Sequence, residues 1–464
     1  MEAITLKARG KRFQKRSTLF YLALMLCIFP VLAACSGNNN AKPSPTPAGT
    51  QTAAPTAAQT AEPTPEPPKD PVTLTLMGWN IGTFGPVIDK FEEMHPWITI
   101  ETTNKINGYI IKNVVSGEKV DIILVDNGLS EWMAGDLLVD MKPFVEKDQR
   151  IQSAKTVDNL LKSFETGGKQ YAMPYSDIPM WIVVNKELLN KYGIDMPSND
   201  WTYDDLLEAA KKATNSANND WGGHGLNQLA DYRAMANGSA GGWRLMNAEG
   251  TQSVAHTPAV MADLQWVQEL TTKWHIQPTS EEMASLGIPG NPAEAFLNGN
   301  ILFFVGADWE LEGLKQATFE WDVLPMPKGT VKQATVHQSG SIAIPSASEH
   351  IEEAFMFISF LFDVEAQKKF IETGSAAFVK DPALDNYYDQ VPIWQGKNIE
   401  AIKRSADMCC FSNDPIITEL GDLVGKVNGP IYGMLQNGGN LSEIIPAVEA
   451  YNEKADLTRR KLSW

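Results

Sequence analysis

Aspartate, asparagine and tryptophan recur in this chain just past apolar runs. Trp79-Asn80 follows "VTLTLMG", Asp126-Asn127 follows "DIILV", and Asp308-Trp309 follows "ILFFVGA". A flat aromatic ring covers a patch of C–H bonds, while carboxylates and amides bind hydroxyls around a rim. A sugar ring offers both surfaces, so these residue types suit carbohydrate recognition. Trp181, Trp243 in "GSAGGW" and Tyr175 are further candidate platforms. Ser339 and Gly340 in "HQSGSIAIP" add candidate polar contacts. Trp97, Trp201, Trp266 and Trp274 fall on helical or strand stripes, where tryptophan packs. Asp126 fits two roles equally, ligand contact or cap of the following helix. His337 fits either a hydroxyl donor or a solvated loop histidine.

Such residues need elements to hold them. Val72, Leu74 and Leu76 alternate with threonines, which predicts a strand. Phe84, Val87, Ile88, Phe91 and Met94 then recur at helical spacing, with Pro86 suited to a first turn. "WITIE" is the next strand and "VDIILVD" a continuous apolar run suited to a buried parallel strand. Strand, helix, strand predicts right-handed βαβ units on a parallel sheet. Ligands of open α/β sheets bind beyond the carboxyl ends of strands, where the residues above stand. "ILFFV" follows a short helix that starts at Asn291-Pro292 and ends at Gly299. Ser346 and Glu349 predict a capping box ahead of the helical stripe Ile351, Ala354, Phe355 and Ile358.

The first 71 residues have a different character. Lys7, Arg9, Lys11, Arg12, Lys15 and Arg16 precede an apolar stretch over 19–34 that ends in small residues. That is the tripartite order of a secretory signal, and it is shorter than the roughly 20 apolar residues a spanning helix needs. Leu32-Ala33-Ala34-Cys35 resembles a bacterial lipobox, in which the Cys35 thiol is lipidated and residues 1–34 are removed. Acyl chains contribute roughly 0.8 kcal/mol per buried methylene, enough in combination to hold a protein at a membrane. Residues 36–71 are rich in Pro, Thr and Ala and cannot bury enough surface to offset the entropy of ordering. As an extended spacer they reach up to roughly 100 Å.

The formal net charge is −17, and losing six basic residues and Glu2 with the leader brings it to −22. An acidic exported chain is a poor match for nucleic acid. The remainder, from Val72 on, is long enough for two domains. Cys409 and Cys410 are its thiols, and their adjacency fits two partly buried free thiols better than a strained vicinal bridge.

In order and spacing, several segments resemble the extracellular solute-binding proteins of ABC importers, in the sugar-binding group that includes maltodextrin-binding protein. They are "VIDKFEEMHPWITIE", "DIILVDNGLSEWMAGDLLVDMKPF", "GKQYAMPYSDIPMWIVVNKELL", "WTYDDLLEAAKKAT", "EAFLNGNILFFVGADWEL", "WDVLPMPKG" and "SGSIAIPSASEHIEEAFMFISFLFDVEAQKKFIETGSAAF". The resemblance covers about residues 72–380 and weakens beyond. It implies an α/β architecture of two lobes with a ligand cleft between them, the type II periplasmic-binding-protein-like fold. Lobe 1 would take 72–175 plus 322–375, and lobe 2 would take 176–321 plus 376–464. Crossings would lie near Met173 to Asp177 and near Trp321 to Pro325, and lobe closure would be read by a membrane permease. Trp309 falls where the family's G-x-W segment supplies a stacking ring, and Tyr175 lies near the first crossing. One departure is Val184, where the family often has an aromatic before the Asn-Lys pair. The expectation is a lipid-anchored monomer at the outer face of a bacterial membrane. Its partners would be a carbohydrate, an ABC permease and, through the anchor, the membrane.

The rival reading from another class is a glycoside hydrolase, with Glu310 and Glu312 beside Trp309 as first suspects. Two carboxylates must face each other across a sugar for that chemistry, whereas these are two apart at the start of an apparent helix. A structural surface protein is a third reading, and it leaves the strand-end aromatics unexplained. The sequence has no Gly-x-Ser-x-Gly elbow, His-Glu-x-x-His or P-loop. Its six histidines lack ligand spacing, and "NSANNDWGG" lacks the EF-hand order. Neither metal nor cofactor is expected.

Overall fold

Leu74 and Leu76 of strand β1 (Val72–Gly78) are fully buried while Thr73 faces water, as the alternation predicts. The computed structural model describes residues 69–462, apart from 80, 106, 126–128, 157–159, 339 and 409–418. The signal, Cys35 and the spacer lie outside the described residues, as do Asn80, Asp126, Asn127, Ser339, Cys409 and Cys410. Among the described residues no helix is long and apolar enough to cross a membrane.

The strands run in chain order as β2 (Ile98–Asn104), β3 (Ile122–Val125), the short hairpin β4 (Glu165–Thr166) and β5 (Lys169–Gln170), then β6 (Met173–Pro174). After them come β7 (Trp181–Asn185), β8 (Trp221–Gly223), β9 (Ile301–Gly306), β10 (Trp321–Leu324) and β11 (Ser341–Ala343). They build two main sheets, ordered β2-β1-β3-β11-β6 and β10-β7-β9-β8. Each sheet belongs to one lobe, and the two lobes have separate cores. The first core includes Leu76, Phe91, Ile122, Phe357 and Phe360. In the second, β7 divides its side chains between two faces. Ile182 and Val184 enter one apolar cluster, while Trp181 and Val183 enter another.

The parallel sheet expected from βαβ units holds for β1 with β2 and β3. It fails for β11, which joins β3 and β6 antiparallel, and for β7, which is antiparallel to both β9 and β10. The cause is connectivity, because β6, β7 and β11 adjoin the places where the chain passes between lobes rather than closing local crossovers.

Several local expectations have direct outcomes. Helix Gly85–Met94 carries Pro86 in its first turn and buries Val87, Ile88 and Phe91, but Met94 is exposed. Asn291 caps helix Pro292–Phe296, its side chain accepting from the backbone N–H groups of Ala293 and Glu294. The Ser346–Glu349 capping box does not form. The helix begins only at Ile351, with no side-chain cap, and Glu349 pairs instead with Lys119 at 2.5 Å.

The second crossing also moves. Trp321–Leu324 is itself a strand paired with β7, and Met326, Ala334 and Val336 pack in the second lobe's core. The chain therefore passes to the first lobe over 337–340, not near Trp321 to Pro325. A third crossing follows helix Val364–Glu372, in which Phe370 packs in the first core and Ile371 in the second. From Leu384 onward the apolar side chains, including Trp394, Ile402, Ile431 and Val448, belong to the second lobe.

Candidate functional site

Three crossings run side by side where the lobes join. The Tyr175 N–H donates to the Gly340 carbonyl at 3.1 Å, and the Gln338 N–H donates to the Ile178 carbonyl at 2.9 Å. Pro179 bridges His337, and Asp177 bridges Ala376. Each crossing also supplies a polar side chain. His337 Nδ1 lies 2.6 Å from Asp177 Oδ1, and both side chains are fully buried. Burial alone lowers the His337 pKa. The charge and hydrogen bond of Asp177, with smaller contributions from the Met408 carbonyl and Asp407, outweigh it and raise the value. His337 is therefore neither a solvated loop residue nor a free donor to ligand.

Ser375 of the third crossing donates to Asp308 Oδ2 at 2.5 Å. Asp308 follows β9, and its carboxylate also accepts from the Trp309 backbone N–H. Burial pushes this carboxyl up to about 6, against the pull of those two donors, and the charge of Asp177 adds to the rise. The turn that carries Trp309 is thus tied to the crossings. Nothing local marks Asp177 and Ser375 in the sequence, since their partners lie 160 and 67 residues away.

Trp309 is 44% exposed and Trp79 is 57% exposed. They stand at the carboxyl ends of β9 and β1, in different sheets. Gly78 lets the end of β1 approach β3 closely, for a Cβ there would lie 2.6 Å from the Leu124 side chain. Tyr175 packs edge-on against Phe84 at 4.9 Å. Its phenol lies over Gly340, where a Cβ would come within 1.9 Å of the ring. The structure therefore brings Tyr175 and Gly340 together. Trp243 is partly buried, with its ring centroid 6.2 Å from that of Tyr232 and the Arg244 guanidinium 5.7 Å above it.

Trp181 is a correction. It is fully buried and packs edge-on against Trp394 at 5.8 Å, with no face left for a ligand. The physical reason is its strand: β7 lies between β10 and β9, and both faces of the sheet are covered. Glu310 and Glu312 also diverge. Glu310 accepts from Trp309 Nε1 at 3.0 Å, and burial raises its carboxyl against that bond. Glu312 pairs with Lys315 on the surface. The two carboxylates thus serve separate local partners. In "NSANNDWGG", Asp220 is engaged by Lys191 and Tyr192, each at 2.5 Å.

Comparison with known proteins agrees with this architecture. A family model described as bacterial extracellular solute-binding protein matches residues 81–368. A putative binding protein of Brucella abortus is 24% identical over 327 residues, covering 66% of this chain and 74% of that protein. Among solved structures, an ABC substrate-binding protein from Listeria monocytogenes in complex with cycloalternan aligns with a TM-score of 0.70 at 21% identity. The match covers 85% of this chain and all of that one. The sugar-binding protein MalE from Xanthomonas citri aligns at 0.66 with 15% identity, over 84% and 98% of the two chains.

Proposed function

We propose, from the premise that the chain belongs to the bacterial extracellular solute-binding protein family, that it captures a carbohydrate and hands it to an ABC permease. The ligand in this reading is an oligosaccharide. The protein is a monomer moored through Cys35 at the outer face of the cell membrane. The observation that carries the reading is the pair Trp79 and Trp309, both exposed, at strand ends of the two different sheets. Tyr175, Asp308 and Gly340 lie along the crossings between them, and Trp243 is a further platform. Asn80, Asp126, Asn127 and Ser339 complete the proposed contact set from the residues that follow the strands or precede β11.

The mechanism follows from chemistry and hinge mechanics. Indole faces cover the apolar faces of sugar rings while carboxylates and amides accept or donate at the rim. Ligand favours the closed arrangement only to the extent that it binds both lobes better together than apart. The permease then reads the closed form. No bond in the sugar needs to break, in keeping with the separate partners of Glu310 and Glu312. The test is a titration of the purified chain with maltose, mannobiose and cycloalternan, followed by tryptophan fluorescence and product analysis. Reversible binding without product supports the reading. Released product from a glycoside turns it toward a hydrolase, and an unchanged signal with every sugar turns it toward another class of solute.

A further inference from the structure

We propose that Asp231 is a positioning residue for ligand capture, holding the turn Trp243–Leu245 in a strained path and thereby setting the face that Trp243 presents. The proposal rests on the carbohydrate reading, which makes Trp243 a contact. Four independent observations converge on this turn.

The first is backbone geometry. Arg244 and Leu245 are consecutive non-glycine residues in the left-handed region, at φ of 58° and 56°. Such conformations persist where the surroundings over-determine them. The second is the carboxylate inside the turn. Asp231 is fully buried on helix Leu229–Ala236 and accepts the Leu245 N–H at 3.0 Å, with a further bond from the Arg244 N–H. Successive amides in this geometry form a cradle for a negative charge. Tyr432, on helix Gly429–Asn437, donates its hydroxyl to the other carboxylate oxygen.

The third is a widened π turn over Leu423–Asn428 that runs straight into that helix, and such turns recur at functional positions. It brings Asn428 to the same place, where Nδ2 donates to the Arg244 carbonyl at 3.3 Å. Asn428 is 2% exposed and its Oδ1 has no hydrogen-bond partner among the described residues. The fourth is the loop itself. Gly241 and Gly242 both donate to the Met246 carbonyl, at 2.9 and 3.1 Å, which closes the loop tightly and leaves Trp243 at its tip. Both Asn428 and Tyr432 lie beyond the residues matched by the family model, so this support comes from the chain's own C-terminal segment.

The charged and titratable groups facing Asp231 are Tyr432, Arg244 and the neighbouring Tyr232. Burial raises the carboxyl to about 6, while the Tyr432 hydroxyl, the Arg244 charge and the two amides hold it down. Protonation weakens the acceptor for two N–H groups, so the grip on the turn loosens as pH falls through that value.

The experiment labels the full chain with 5-fluorotryptophan and assigns the Trp243 resonance from Trp243→Phe. The wild-type resonance is expected to shift with a midpoint near pH 6. In Asp231→Asn it is displaced at neutral pH and the midpoint is gone. In Tyr432→Phe, a milder change, the midpoint rises by about one pH unit because the carboxylate has lost a donor. Adding Arg244→Gly to Asp231→Asn brings the resonance toward that of Arg244→Gly alone, which lacks the guanidinium over the ring, since glycine takes a left-handed path freely. A Trp243 resonance that superimposes on wild type in Asp231→Asn and Tyr432→Phe, between about pH 5 and pH 8, overturns the proposal. If the resonance behaves as expected while maltose, mannobiose and cycloalternan leave every signal in place, the hold of Asp231 stands and the carbohydrate reading fails.

Discussion

Two tryptophans that look alike in sequence have opposite fates. Trp309 and Trp181 both adjoin hydrophobic strands, yet Trp309 is 44% exposed and Trp181 fully buried. Trp309→Ala is expected to lower sugar affinity at least tenfold, as for an interface hot spot worth about 2 kcal/mol, with an almost unchanged melting temperature. Trp181→Ala opens a cavity against Trp394 and should cost about 3–5 kcal/mol of stability, measured by denaturant unfolding. Equal loss of affinity in both, at equal stability, would refute the distinction. Gly340→Ala tests the packing beneath Tyr175. The added methyl meets the far end of the phenol, so the ring moves aside and binding weakens while the fold survives. Calorimetry beside a thermal melt separates the two effects.

At the scale of elements, the crossings carry part of the pH dependence, and buried Asp231 shares its lower range. His337 binds its proton more tightly in the folded chain than in the unfolded one. The stabilisation it brings is complete below the ordinary histidine value of about 6.5 and is lost as pH rises through the raised folded value. Asp308 also has a raised value, so the native state loses stability between about pH 4 and its folded value of about 6. Melting temperature is therefore expected to fall as pH climbs across both ranges. Asp308→Asn should reduce the slope of the lower part, leaving the share that Asp231 carries. His337→Gln should remove the upper part and leave Asp177 buried without its cation, a cost of about 3–5 kcal/mol. A His337→Gln variant with wild-type stability and slope would show that the pair does not hold the crossings together. Elements were only partly legible beforehand. The cap at Asn291 follows from local chemistry, but the predicted box at Ser346 and Glu349 lost to a tertiary contact, the pairing of Glu349 with Lys119.

For the whole molecule, the proposed capture by closure requires ligand to touch both lobes. Trp79 and Trp309 stand on different sheets, so removing either should abolish ligand-induced compaction. Small-angle scattering with saturating sugar is expected to show a smaller radius of gyration for wild type, and none of that change for Trp79→Ala or Trp309→Ala. Compaction that persists in both variants would mean that other groups bridge the cleft.

Alternation and helical spacing were enough to place β1, the helix after it and the buried strands, because those patterns arise from local geometry and the burial of one face. Segment order sufficed for the α/β class, and the strand ends supplied the candidates for ligand contact. Tertiary structure alone decided which indoles stay open, as exposure depends on what packs from afar: Trp394 covers Trp181 from 213 positions further along the chain. It also decided how the crossings meet. Asp177, Asp308, His337 and Ser375 meet only when three distant crossings lie side by side, and no local propensity records a contact made at that range.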